Sequence, residues 1–109
     1  AVRLPVERPD VTHAWHLFPI GLELERLTID RARFVKELRA ENIGTSVHFI
    51  PIHFHPHFRD SLGHAEGAFP VCEDAYRRAV TLPLFPRMTD RDADDIVVAV
   101  RKIADAFRR

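Results

Sequence analysis

Cysteine is nearly missing from this chain. The single copy, Cys72, cannot form an internal disulfide, so no disulfide framework holds the fold and the composition suits a reducing compartment. Net charge is missing too. Sixteen Lys and Arg balance sixteen Asp and Glu and interleave along the whole length. With no basic stripe to neutralise a phosphate backbone, nucleic acid is excluded as an expected partner. No apolar run approaches the ~20 residues that cross a bilayer, and no signal-peptide pattern opens the chain, so no membrane partner is expected. The four glycines are scattered and form no phosphate-cradling loop, and no serine sits in a nucleophile elbow. Lysine is the scarcest charged residue, with only Lys36 and Lys102 against fourteen arginines. What is present is an ordinary globular balance, 46% hydrophobic and 29% charged over 109 residues. That is one domain with enough apolar surface for one core, and the expectation is a soluble, cytoplasmic protein.

Residues 1–12 hold Pro5 and Pro9 and little periodicity, and read as an interdomain linker or arm, leaving residues 13–109 as the domain. The aromatic and aliphatic stretch His13–Leu24 predicts a strand, bent or at an edge because of Pro19 and Gly21. Asp30 is placed to cap a helix through Glu41 with Phe34, Val35 and Leu38 on one face, and Asn42 can take the left-handed conformation that ends it. Thr45–Ile52 predicts a second strand, stopped by Pro51. A loop follows, with a short helical turn after Pro56. A helix from Pro70 to about Val80 presents Cys72, Ala75, Tyr76 and Ala79 on one face, and Thr81–Phe85 predicts a short third strand. Thr89 and Asp92 form a capping-box pattern for a last helix, Asp90 to about Arg108, striped by Ile96, Val100, Ile103 and Phe107. Three amphipathic helices beside three strands predict an α+β domain of two layers. The small three-stranded sheet should carry its helices on one face, with the other face partly bare and in want of a partner.

Histidine is the residue type that could carry chemistry, with seven copies that titrate near neutrality. If Val47 and Phe49 point to the core, His48 points to the uncovered face, where it is solvated, structurally hydrogen-bonded, or aimed at a partner's active site. His53, His55 and His57 alternate and could share one side as metal ligands, but Pro56 interrupts them and no carboxylate has ligand spacing, so solvated loop histidines are the favoured reading. Cys72 reads as a small core residue rather than a nucleophile, and Asp94 and Asp95 as a solvated face. No catalytic set is present in the chain.

Taken together, HAWHLFPI (His13–Ile20), NIGTSVHFIPIHFHPHFR (Asn42–Arg59), FPVCEDAYRRAVTLPLFPRMTD (Phe69–Asp90) and the terminal amphipathic helix resemble the small C-terminal domain of the DegT–StrS family of pyridoxal-phosphate-dependent nucleotide-sugar aminotransferases. The resemblance covers nearly all of the chain from about Val11, in order and spacing. It implies a fold-type-I enzyme whose large N-terminal domain, the partner of this one, binds pyridoxal 5'-phosphate and carries the Schiff-base lysine. It implies transfer of an amino group, commonly from glutamate, to a keto group on a nucleotide-linked sugar, by an enzyme that is a homodimer. In the family pattern the histidine of the GTSVHF-like strand lies near cofactor and substrate, which here is His48, and His53 matches the second histidine. Both are the implied substrate-binding residues.

The lysine count bears on that implication. Transamination needs a lysine that forms an imine and then moves protons. Lys36 and Lys102 both lie far from the apolar stripes of their helices and face solvent. The chain alone should therefore be inert, a domain of a longer enzyme. Three alternatives stay open: a free-standing ligand-binding or regulatory module, a histidine-rich metal binder, and the branch of the family that dehydrates sugars with histidine in place of the imine lysine.

Overall fold

Short side chains at helix ends set the frame. The computed structural model describes all residues, 1–109. Asp30 accepts the N–H of Arg33 at 2.8 Å and opens α1 (Arg31–Ala40). Asn42, at φ 62°, turns the chain out of it. Thr89 opens α4 (Asp90–Ala106) with a full capping box: its hydroxyl accepts the N–H of Asp92 at 3.2 Å, and the Asp92 carboxylate accepts the N–H of Thr89 at 2.8 Å. Between these helices lie α2 (Pro56–Leu62) and α3 (Pro70–Arg78), each with proline at its first position, where the missing N–H costs nothing.

The sheet has three antiparallel strands in the order β1 (Val2–Arg3), β2 (Phe18–Leu22) and β3 (Ala79–Leu82). Register pairs Val2 with Leu22, Ile20 with Val80 and Phe18 with Leu82, so these six side chains share one face. Against that face pack Phe34 and Leu38 of α1 and Ala99 and Ile103 of α4, with Leu27 completing the core. The α+β, two-layer arrangement read from the sequence is therefore the observed one. α3 runs straight into β3, with Arg78 ending the helix and Ala79 beginning the strand.

Several local expectations are corrected. Val2–Arg3, inside the stretch read as an arm, is a strand; Ala1 also accepts the N–H of Glu23 at 2.9 Å. Residues 4–12 contain no helix or strand. The strand expected over Thr45–Ile52 reduces to a single bridge, Ser46 to Thr81, after which the chain leaves β3 for a 3-10 turn at Ile52–Phe54. A strand needs a partner along its length, and an antiparallel run onward from Ser46–Thr81 meets Val80 and then Ala79, where β3 gives way to α3. Phe49 is accordingly 75% exposed rather than in the core. On α3 the buried residue is Glu73, while Cys72 and Ala75 are exposed. The sheet's far face carries no large apolar side chain, being made of Arg3, Pro19, Gly21, Ala79 and Thr81. Exposed apolar groups gather instead on the excursion between bridge and α3: Phe49, Ile50, Ile52, Phe58, Leu62 and Phe69.

Candidate functional site

The bridge between Ser46 and Thr81 builds the site. The N–H of each donates to the carbonyl of the other, at 3.1 and 2.8 Å. As directly paired residues they project to the same face of the sheet, the one opposite α1 and α4. There a pocket of about 180 Å³ opens, lined by His16, Ser46, His48, Thr81 and Leu84 among others. His48 is half-buried and meets the Phe49 ring edge-on, centroids 4.6 Å apart; the peptide joining them is cis. Two buried side-chain polar atoms in the whole molecule have no hydrogen-bond partner: His48 Nδ1 and Thr81 Oγ1. Both belong to residues of this one pocket. Buried polar groups are ordinarily paired, and two exceptions in one place mark a site.

The second predicted histidine lies elsewhere. His53 is 6% exposed and does not line the pocket. Its Nε2 donates to Glu73 Oε1 at 3.0 Å, and its ring packs on Phe54 and Phe69. Glu73, 1% exposed, also accepts the backbone N–H groups of Gly67 at 2.9 Å and Phe69 at 3.2 Å. Burial works against a charge here, but those two N–H groups and the imidazole outweigh it and hold the Glu73 carboxyl below its ordinary value. The pair ties the segment after His48 to the first turn of α3. Sequence reading missed Glu73, although one local signal was present. The residue at the head of α3, Phe69, has no side-chain acceptor for the free N–H groups of that helix end, and an acid stands in its first turn.

His55 and His57 are exposed at the start of α2, and no three His, Cys, Asp or Glu side chains come together as a metal-holding group. A larger open cleft of about 520 Å³ lies between the end of α1 and the start of α4, with Glu41, Asp92 and Asp95 on its walls and no histidine. Neither lysine approaches the His48 pocket. Lys36 is exposed, and Lys102 pairs with Glu41 at 2.8 Å across the surface. No helix is long and apolar enough to cross a membrane.

Comparison with known proteins decides the family. The model of the DegT/DnrJ/EryC1/StrS aminotransferase family matches residues 1–101. The chain belongs to this family. An uncharacterized protein of Methanocaldococcus jannaschii, MJ1066, is 48% identical over 104 residues, which is 95% of this chain and 27% of that protein. The spore coat polysaccharide biosynthesis protein SpsC of Bacillus subtilis is 42% identical over 100 residues, 91% of this chain and 26% of that protein. Among solved structures, the PMP form of Spr1654 from Streptococcus pneumoniae, described as a putative sugar aminotransferase, superposes with a TM-score of 0.84 at 21% identity. It covers 96% of this chain and 26% of that one. The chain thus spans about a quarter of the length of its relatives.

Spr1654 has been solved in PLP and PMP forms. The residues of this chain do not make a site for that group. Both lysines are on the surface away from the unpartnered atoms, and no glycine-rich turn offers its N–H groups to a phosphate.

Proposed function

We propose that this chain is the small C-terminal domain of a longer pyridoxal-phosphate-dependent aminotransferase, with residues 13–109 as the body of the domain and β1, from the stretch before it, completing its sheet. The enzyme would move an amino group, from glutamate, to a keto group on a nucleotide-linked sugar, in the making of cell-surface polysaccharide, lipid A or antibiotic sugars. The large domain would hold the cofactor and its lysine, and the whole enzyme would be a homodimer. The observation that carries this reading is the family match over residues 1–101 in a chain a quarter the length of its relatives.

Within it, His48 is the substrate-facing residue, supported by its half-buried ring at a pocket on the face away from α1 and α4. His53, buried on Glu73, enters as the residue that fixes the segment following His48 rather than as a substrate contact. Borohydride reduction of the intact protein with pyridoxal phosphate, followed by mass analysis, tests the division of labour. The expected result is a cofactor-sized gain on a lysine outside residues 1–109. Cofactor that binds but cannot be trapped would move the protein to the dehydratase branch, and no binding would refute the assignment. His48→Ala should lower turnover of the intact enzyme at least tenfold; a rate within twofold of the parent removes His48 from the site.

A further inference from the structure

The ring of His53 is bound on one side and open on the other. Both carboxylate oxygens of Glu73 accept the N–H of Gly67 at 2.9 Å, and Oε1 accepts the N–H of Phe69 as well. With both oxygens engaged as acceptors, the proton in the 3.0 Å contact belongs to Nε2 of His53. A neutral His53 ring therefore keeps a bare Nδ1, which can only accept. Nδ1 makes no hydrogen bond within the chain, yet it is not among the buried unpartnered atoms and so reaches the surface. There His53 lines an open cleft of about 390 Å³ between α2 and α3, among Ile52, Phe58, Leu62 and Phe69. His64, edge-on to Phe69 with centroids 5.1 Å apart, and Cys72 complete the wall.

We infer that this cleft seats a tyrosine or tryptophan side chain from the part of the parent chain outside residues 1–109, its donor meeting Nδ1 of His53. This rests on the reading of the chain as one domain of a longer protein, and not on the aminotransferase chemistry. The chain spans about a quarter of the length of its relatives, so a body larger than this domain is there to cover it. Seven of the fourteen exposed large apolar side chains fall within residues 49–71, a concentration that marks an interaction surface. That stretch begins beside His48, whose ring Phe49 meets edge-on. The chemistry of the cleft selects the occupant. Its apolar walls take an apolar body, and an acceptor covered by that body needs a donor. Leucine or phenylalanine would strip Nδ1 of water and give nothing back, and lysine or arginine would carry a charge into apolar surroundings. Tyrosine and tryptophan join a large apolar ring to a single donor at its edge.

The test puts p-benzoylphenylalanine, which joins to neighbouring C–H groups on illumination, in place of Phe58 in the intact protein. Peptide mass analysis should find residue 58 linked to a segment outside residues 1–109 that contains Tyr or Trp. The same probe at Leu62 should mark the same segment, and serves where the first variant does not fold. A link to residues 1–109 of a second copy, or no link from either position, overturns the inference. The donor is read by 15N NMR of histidine-labelled intact protein at about pH 8.5, where an ordinary imidazole is neutral. His53→Gln assigns the resonances. Nδ1 should be unprotonated and displaced toward the value of a hydrogen-bonded acceptor. Replacing the Tyr or Trp of the linked segment by Phe should return it to the free value. A protonated Nδ1, or one that no such replacement moves, overturns the inference. A link found in a protein that binds no pyridoxal phosphate would uphold this docking and refute the aminotransferase assignment. No link in a protein that traps the cofactor would do the reverse.

Discussion

Phe34 and Phe49 are the same residue type in opposite situations, and truncating each one measures where the core lies. Phe34, on α1, is 0% exposed and packs with Leu38 and the core strands. Phe49 follows the bridge at Ser46 and is 75% exposed. Removing a fully buried phenylalanine side chain costs about 3–5 kcal/mol, from lost transfer energy and the cavity left behind. Truncating an exposed one costs within about 0.5 kcal/mol. A domain of this size is stable by only about 5–15 kcal/mol, so Phe34→Ala should consume a large share of it. For a urea slope of roughly 1.5 kcal/mol per molar, its unfolding midpoint should fall by about 2–3 M, while Phe49→Ala should stay within about 0.3 M of the parent. Urea unfolding of this chain followed by circular dichroism is the assay. Strict alternation from Val47 would put Phe49 in the core, so the two accounts predict different outcomes. Equal losses for the two variants, or more than about 2 kcal/mol for Phe49→Ala, would refute the placement of Phe34 inside the core and Phe49 outside it.

Two further outcomes follow from the site's surroundings. Because the folded state lowers the Glu73 carboxyl, the unfolded chain takes up that proton first, so this group's contribution is full above the ordinary Glu value of 4.5 and is lost as pH falls through the lower folded value. Glu73→Gln should flatten the fall in stability below about pH 5 relative to the parent; parallel acid-unfolding curves would show that Glu73 is not held ionised. Cys72 is exposed on α3, so one thiol per chain should react with a disulfide reagent in the native protein at a rate close to that in denaturant. A thiol protected until unfolding would return Cys72 to the core.

What was legible in the sequence is what local chemistry decides. Asp30, Asn42 and the Thr89–Asp92 box act on backbone groups within three residues of themselves, and each helix begins or ends where they indicate. The stripe of α4 is likewise local, and Ile96 and Ile103 are buried as it implies. Strands depend on partners distant in the chain. Thr45–Ile52 has a strand's composition, yet only Ser46 finds an edge to pair with. The face of α3 was misread for the same reason: Glu73 is buried because His53, twenty residues earlier, and the turn at Gly67 come to it. Of the site, His48 stood out through its family-like strand, whereas Thr81 looked like any β-branched strand residue. Its interest lies in an unpartnered hydroxyl, which no sequence pattern displays.

The junction at Arg78 and Ala79 gives the two histidines a mechanical relation. No residue intervenes between α3 and β3 to absorb a change of direction. The carboxylate that grips His53 stands near one end of this continuous piece, and the hydroxyl beside His48 stands near the other. The placement of α3 and that of β3 are therefore set together by the backbone. The two histidines, separated along the chain by only four residues, are thereby joined a second time, through Glu73, the continuous α3–β3 segment and the pocket that Thr81 shares with His48.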